Sequence, residues 1–242
     1  MKLIAHRGGN IGKENTVEAM ITAARMGADY VECDIRKTKD GELVIFHDPN
    51  LSRLAGRNLN VTDVTAGEMA ALLEANGRTL LTFDCLCKEY RETTPILLHI
   101  KLMDPDEEFV ARIAESGLPI TAGVMSLPML SLFAAKLPKE RILAFMPKPE
   151  MAADFYAGGA GILRLWEDWL PRITPADLHA SCPGAQVFIM AYDPSRDPEH
   201  KYDLPSMDGS IDTLNKCVSL GADGILLNDL AMALEWRKTA AR

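Results

Sequence analysis

Short apolar runs and helix-like stretches alternate along this chain from one end to the other. Runs of β-branched and apolar residues occur at Leu3–Ala5, Tyr30–Ile35, Ile96–Ile100, Thr121–Val124, Arg141–Phe145, Gly161–Leu165, Gln186–Ala191 and Gly224–Leu227. They are too short for helices and too uniformly apolar for half-exposed strands, so they predict strands buried on both faces. The stretches between them suit helices: Thr16–Met26, Asp106–Ser116, Pro128–Lys136, Glu150–Tyr156, Pro175–Ala180, Ile211–Leu220 and Ala231–Lys238. Thr174-Pro175 reads as an N-cap followed by proline at the first helical position, and Ser210 as a second cap. Gly27, Gly117 and Gly221 stand where helices would end in a left-handed residue. Eight strand–helix alternations predict a closed parallel (β/α)8 barrel, with an open doubly wound sheet as the alternative. No Gly-rich dinucleotide fingerprint follows the first strand, which counts against the open sheet.

The repeat is interrupted once, between roughly residues 37 and 94. That stretch holds a hairpin turn at Lys39-Asp40-Gly41, an extended run Leu43–Phe46, and helical segments near Thr65–Leu73 and Thr82–Arg91. It is expected to be an insertion at the barrel mouth, with too few apolar residues for a core of its own, inside one domain spanning 1–242.

Composition changes this picture little. The 242 residues are 48% hydrophobic and 25% charged, ordinary for a globular chain with a full core. No apolar run approaches the roughly 18 residues of a membrane span. The start, Met1-Lys2-Leu3-Ile4-Ala5-His6, turns polar too soon for a secretory signal, so a cytoplasmic location is expected. A formal net charge of −8 without a basic cluster argues against a nucleic-acid partner. The five cysteines lack zinc-finger spacing or a disulfide framework, and the close pair Cys85 and Cys87 reads as two half-buried residues on one helix.

The candidate chemistry collects at the carboxyl ends of the first strands, where barrels of this kind place reactive groups. The first strand ends His6-Arg7-Gly8-Gly9, glycines that let backbone approach a ligand beside a guanidinium suited to phosphate. Glu32 and Asp34 are two apart on the second strand and point together into the barrel, with Cys33 turned toward the helices. Two inward carboxylates call for a hard divalent cation. His99 and Lys101 share a face of the third strand, and His47-Asp48-Pro49 closes the run Leu43–Phe46. His179 is expected on a helix surface and His200 in a polar loop. Trp166 and Trp169 follow a strand end, as packing residues within reach of a substrate.

The chain resembles the glycerophosphodiester phosphodiesterase family, within the superfamily of phosphatidylinositol-phospholipase-C-like phosphodiesterases. The resemblance lies in His6-Arg7-Gly8, Glu14-Asn15-Thr16, Gly27-Ala28-Asp29-Tyr30-Val31-Glu32-Cys33-Asp34, and Thr38-Lys39-Asp40-Gly41 running on to His47-Asp48-Pro49. It covers about the first quarter of the chain, with a looser echo in Gly221-Ala222-Asp223-Gly224-Ile225 and Asn228-Asp229. It implies a barrel in which His6 and His47 are general acid and base and Glu32 and Asp34 hold a divalent metal such as Mg²⁺ or Ca²⁺. It further implies that Arg7 and Lys101 hold phosphate and that Asn15 assists beside the metal. The family's third metal ligand, a glutamate, is His99 here, and an imidazole turns preference toward Mn²⁺, Co²⁺ or Zn²⁺ if it ligates. His99 donating to substrate instead is the other reading. The family's tryptophan near the seventh barrel strand is absent, and Tyr192 is expected to line the site in its place. Asp229 is not followed by the family's proline.

The expected activity is hydrolysis of a small phosphodiester, a glycerophosphodiester above all, to an alcohol and glycerol 3-phosphate. A non-catalytic barrel binding phosphorylated ligands and a lyase releasing a cyclic phosphate both remain open.

Overall fold

The computed structural model describes residues 1–191 and 210–240. Among the described residues ten strands form one sheet: β1 (Lys2–Ala5), β2 (Tyr30–Lys37), β3 (Leu43–Ile45), β4 (Leu81–Thr82), β5 (Ile96–Ile100), β6 (Ile120–Val124), β7 (Ile142–Ala144), β8 (Ile162–Trp166), β9 (Gln186–Met190) and β10 (Gly224–Leu227). Eight of them are parallel, and β1 closes the ring by pairing with both β2 and β10, Ile4 standing opposite Tyr30 on one side and Leu226 on the other. This is the predicted (β/α)8 barrel, with every predicted barrel strand in place. The remaining two strands extend the sheet: β3 runs antiparallel to β2, and β4 antiparallel to β3.

The helices are α1 (Val17–Met26), α2 (Ser52–Ala55), α3 (Ala66–Glu74), α4 (Phe83–Glu89), α5 (Glu107–Ala114), α6 (Leu127–Ala134), α7 (Ala152–Ala157), α8 (Pro175–Ser181), α9 (Ile211–Ser219) and α10 (Leu230–Ala240). Their ends follow local chemistry. Thr174 caps α8 in a full capping box with Asp177, and Ser210 accepts from the Thr213 amide at the start of α9. Gly27, Gly117 and Gly221 take positive φ (106°, 76° and 78°), each just past a helix. No helix among the described residues is long and apolar enough to cross a membrane.

The strand alternation divides the core. Cys33 and the other outward residues pack with the helices, whereas Ile4, Tyr30, Leu97, Leu143, Phe188 and Leu226 fill the lumen. At the amino-terminal end of the barrel Lys2 donates to Gln186 (2.8 Å), and its ammonium lies 5.4 Å from the Tyr30 ring centre. Gly224 makes room there, since a Cβ would meet the Phe188 ring at 2.9 Å. That end is filled by these side chains, and the buried carboxylates Glu32 and Asp34 stand toward the carboxyl end of β2.

One expectation needs correction. The stretch between β2 and β5 does form an apolar cluster of its own, built from Val44, Phe46, Leu51, Val61, Met69, Leu73 and neighbours. Its apolar positions come from several short pieces, α2, α3 and the loops between them. They converge only after the chain has turned, so no single window of sequence displays them.

Candidate active site

The first strand gives way at once to a turn, His6–Gly8, in which Arg7 (φ 50°), Gly8 (φ 94°) and Gly9 (φ 77°) are all left-handed. Arg7 is the costly member, at roughly 1–3 kcal/mol for a non-glycine residue held there. The twist turns its amide inward, where it donates to Glu32 Oε2 (2.9 Å). Gly8 is required by close approach: a Cβ would lie 2.7 Å from that of Ala19 on α1.

Glu32 and Asp34 project from β2 into the barrel, both fully buried. Asn15, at a left-handed φ of 56°, holds Asp34 reciprocally: its Nδ2 donates to Asp34 Oδ2 (3.3 Å) and its Oδ1 accepts from the Asp34 amide (3.2 Å). His99 sits opposite Asp34 in the β2–β5 register. Its Nδ1 lies 3.4 Å from Asp34 Oδ1 and 3.9 Å from Glu32 Oε1. The imidazole stacks on Phe145, ring centres 3.8 Å apart and planes 12° from parallel. Gly123 permits the stack, because a Cβ there would strike the Phe145 ring at 2.5 Å. Lys101 Nζ is 3.4 Å from Asp34 Oδ1, and Arg7 Nε is 3.8 Å from Asp34 Oδ2.

Burial dominates the electrostatics. It pushes the Glu32 carboxyl up to about 8, with the neighbouring Asp34 charge adding to the rise. Asp34 moves the other way: although burial raises it, His47, Lys101, the His99 hydrogen bond and Arg7 hold it well below the usual carboxylate range. Burial, with Lys101, pulls His99 down to about 3, so its ring is neutral at physiological pH, the form in which imidazole ligates metals. Burial and Arg7 likewise lower His6.

Glu32, Asp34 and His99 each offer a ligand atom, all within 4.8 Å of one another. Among the described residues, Glu32 Oε1 and His99 Nε2 are buried without a hydrogen-bond partner, and Asp34 Oδ1 has only the longer approaches of His99 and Lys101, both at 3.4 Å. Two adjoining buried carboxylates with lone pairs left to satisfy are expensive, and a cation would satisfy them. The donor set therefore fits a divalent metal, carboxylates suiting Mg²⁺ or Mn²⁺ and the imidazole favouring Mn²⁺, Co²⁺ or Zn²⁺.

His6 and His47 reach the same cavity from different elements. His6 Nδ1 lies 2.8 Å from Asn228 Oδ1, just beyond β10, and its Nε2 is 3.9 Å from Glu32 Oε2. His47 is carried by β3, which folds back along β2 so that the Phe46 amide donates to the Asp34 carbonyl (2.9 Å). Its Nδ1 lies 2.7 Å from Asp48 Oδ1. Arg36, two residues beyond Asp34, donates to the His47 carbonyl through Nε (2.9 Å) and Nη2 (2.7 Å). The cavity, of about 420 Å³, is lined by His6, Arg7, His47, His99, Lys101 and Arg164 among others.

Of the residues singled out from sequence, His6, Arg7, Glu32, Asp34, His47, His99 and Lys101 thus come together. Asn15 stands behind Asp34 and does not line the cavity. Tyr192 and His200 lie outside the described residues. His179 is on α8, 3.3 Å from Asp223 before β10, away from the mouth. Trp166 lines the cavity, and Trp169 is buried with its ring centre 5.2 Å from the Arg164 guanidinium. Sequence reading passed over Arg36 and Arg164, and it quoted Asp48 and Asn228 within motifs without giving either a role. A charged residue inside the apolar run of β8 was the available signal for Arg164. For Arg36 it was the continued spacing of two after Glu32 and Asp34.

A model of the glycerophosphoryl diester phosphodiesterase family matches residues 6–122. Human lysophospholipase D GDPD1 is 35% identical over 102 residues, 41% of this chain and 32% of that protein. The glycerophosphodiester phosphodiesterase of Caldanaerobacter subterraneus is 41% identical over 71 residues, 29% of each. The chain thus aligns with less than half the length of these relatives. Among solved structures, the glycerophosphodiester phosphodiesterase of Thermotoga maritima superposes with a TM-score of 0.68 at 19% identity, covering 96% of both chains. An Oleispira antarctica phosphodiesterase in complex with the product sn-glycerol-3-phosphate gives 0.71 at 17%, covering 100% of this chain and 97% of that one. At such identities these structures establish the shared fold.

Proposed function

We propose that the chain, matched over residues 6–122 by a model of the glycerophosphoryl diester phosphodiesterase family, is a metal-dependent phosphodiesterase of that family cleaving a small glycerophosphodiester to an alcohol and glycerol 3-phosphate. The observation that carries this reading is the pair of histidines on one cavity, each with Nδ1 held by a side-chain oxygen, Asn228 for His6 and Asp48 for His47. A hydrogen bond at Nδ1 sets the tautomer and leaves Nε2 to exchange the proton.

A phosphodiester anion resists a nucleophile, and its alkoxide leaving group needs a proton. In this reading one histidine takes a proton from the attacking water and the other gives a proton to the leaving oxygen. Arg7 and Lys101 bind the non-bridging oxygens and offset the charge that builds on them. A divalent cation held by Glu32, Asp34 and His99 would supply Lewis-acid polarisation of the phosphoryl group. Asn15 keeps Asp34 aimed and Arg36 fixes the His47 backbone. Both are scaffolding for the groups that touch substrate. That a related phosphodiesterase was captured with sn-glycerol-3-phosphate supports the assignment of product.

The test is an assay of purified protein on glycerophosphocholine, glycerophosphoethanolamine and bis(p-nitrophenyl) phosphate, with Mg²⁺, Ca²⁺, Mn²⁺, Co²⁺ or Zn²⁺. Turnover is expected, strongest with Mn²⁺ or Co²⁺. His6→Ala and His47→Ala should each reduce kcat by about 10²- to 10⁴-fold while the fold survives. Phosphorus NMR of the product separates hydrolysis from release of a cyclic phosphate. Silence on every substrate with every metal would sink the proposal.

A further inference from the structure

Two groups of the proposed machinery, Arg7 and His47, sit on unrelated segments, one on the turn after β1 and the other after β3. Between them runs a chain of alternating charge. Arg7 Nη1 donates to Glu14 Oε2 (3.0 Å). The other oxygen of Glu14 accepts from Arg53 Nη2. Arg53 grips Asp48 with two donors, Nε to Oδ2 (2.7 Å) and Nη2 to Oδ1 (3.2 Å), and Asp48 Oδ1 meets His47 Nδ1. Arg53 thus stands midway between the phosphate-binding guanidinium and a proton-transfer imidazole.

We propose that Arg53, on the short helix α2 of the insertion, is a positioning residue that sets Arg7 and His47 in register across the substrate through Glu14 and Asp48. The inference rests on the phosphodiesterase reading for its kinetic consequences only.

The chemistry suits an arginine and no other cation. One guanidinium plane presents parallel N–H donors to Asp48 and a further N–H to Glu14, fixing the angle between the two carboxylates. An ammonium offers a point charge without that fork. Stability alone does not account for the arrangement. The Arg53 side chain is 47% exposed, and ion pairs so exposed contribute little to folding. Its partners are the better buried, Glu14 at 22% and Asp48 at 15%. Glu14 and Asp48 are both held below the usual carboxylate range, against burial that would raise them, with Arg53 among the causes in each. Two charged carboxylates are thereby kept as acceptors, one for Arg7 and one for the His47 Nδ1–H. The bridge also couples the site to the insertion, because α2 lies against the apolar cluster that holds the segment together.

The experiment compares wild type with Arg53→Met, Arg53→Lys and Glu14→Gln, all loaded with Mn²⁺ for kinetics. The His47 Nδ1–H proton is followed separately by proton NMR of the metal-free proteins. Arg53→Met is expected to lower kcat by roughly tenfold to a hundredfold and to raise KM, since both ends of the bridge loosen. The downfield Nδ1–H resonance should weaken or shift in the same variant. Arg53→Lys should recover part of the loss. Glu14→Gln should act mainly on KM and leave the His47 resonance in place. If Arg53→Met does not fold, the Lys and Gln variants carry the same contrast. Wild-type kcat, KM and resonance in Arg53→Met, or in Arg53→Lys and Glu14→Gln where those stand in, would overturn the proposal. An inactive wild type would defeat the phosphodiesterase reading alone, because the resonance still reports whether Arg53 holds Asp48 on His47.

Discussion

Glu32 and Asp34 lie two residues apart on one strand, yet burial and mutual repulsion give them opposite protonation behaviour. Glu32 is pushed to about 8 while Asp34 stays ionised. The metal-free pair therefore carries one proton at neutral pH, and a ligating carboxylate must lose it. The sign follows directly. Metal affinity should rise about tenfold per pH unit below about 8 and level off above it. His99, already neutral down to about 3, should add nothing to that slope. Calorimetry of Mn²⁺ binding in two buffers of different ionisation enthalpy would count the proton released. Release of none would show that Glu32 is not displaced from its protonated form by the metal.

At the scale of elements, the site depends on strands meeting in a particular register. β6 contributes no functional side chain to it, but Gly123 opens the space in which Phe145, just past β7, lies flat on His99 of β5. Gly123→Ala would set a methyl group about 2.5 Å from that ring, with the His99 Cα at 3.2 Å on the other side. Overpacking of this kind costs about 1–3 kcal/mol. The stack must shift, so Mn²⁺ affinity should fall by roughly tenfold or more. Denaturant unfolding and a metal titration on one sample would test both. Unchanged metal binding would show that the His99 ring does not need its aromatic support.

Across the whole molecule, the segment between β2 and β5 divides its apolar residues: Leu43, Ile45 and Leu81 join the barrel core, whereas Val44 and Phe46, next to His47, join the smaller cluster. Met69 is fully buried in the smaller cluster. Met69→Ala should remove about 2–5 kcal/mol of local packing. Hydrogen exchange is then expected to quicken over residues 43–73 while the parallel strands stay protected, and kcat should fall with them. Equal loss of protection in the barrel strands would mean that the two clusters unfold as one.

The sequence by itself determined the barrel, because eight short apolar runs at regular spacing have few ways to bury both faces. It also determined the carboxylate pair, because alternation along a strand is a local property: Glu32 and Asp34 share a face whatever surrounds them. The end of the first strand at His6-Arg7-Gly8-Gly9 was legible too, because two glycines follow the apolar run directly. What only the tertiary structure decided is each relation between residues distant along the chain. The Arg53 bridge joins residues 7 and 48, Phe145 lies on His99, Asn228 holds His6, and an insertion that looked too polar for a core assembles one from scattered pieces. Such contacts follow from how strands register and loops return. Periodicity reports which face a residue occupies and is blind to which distant residue it will meet.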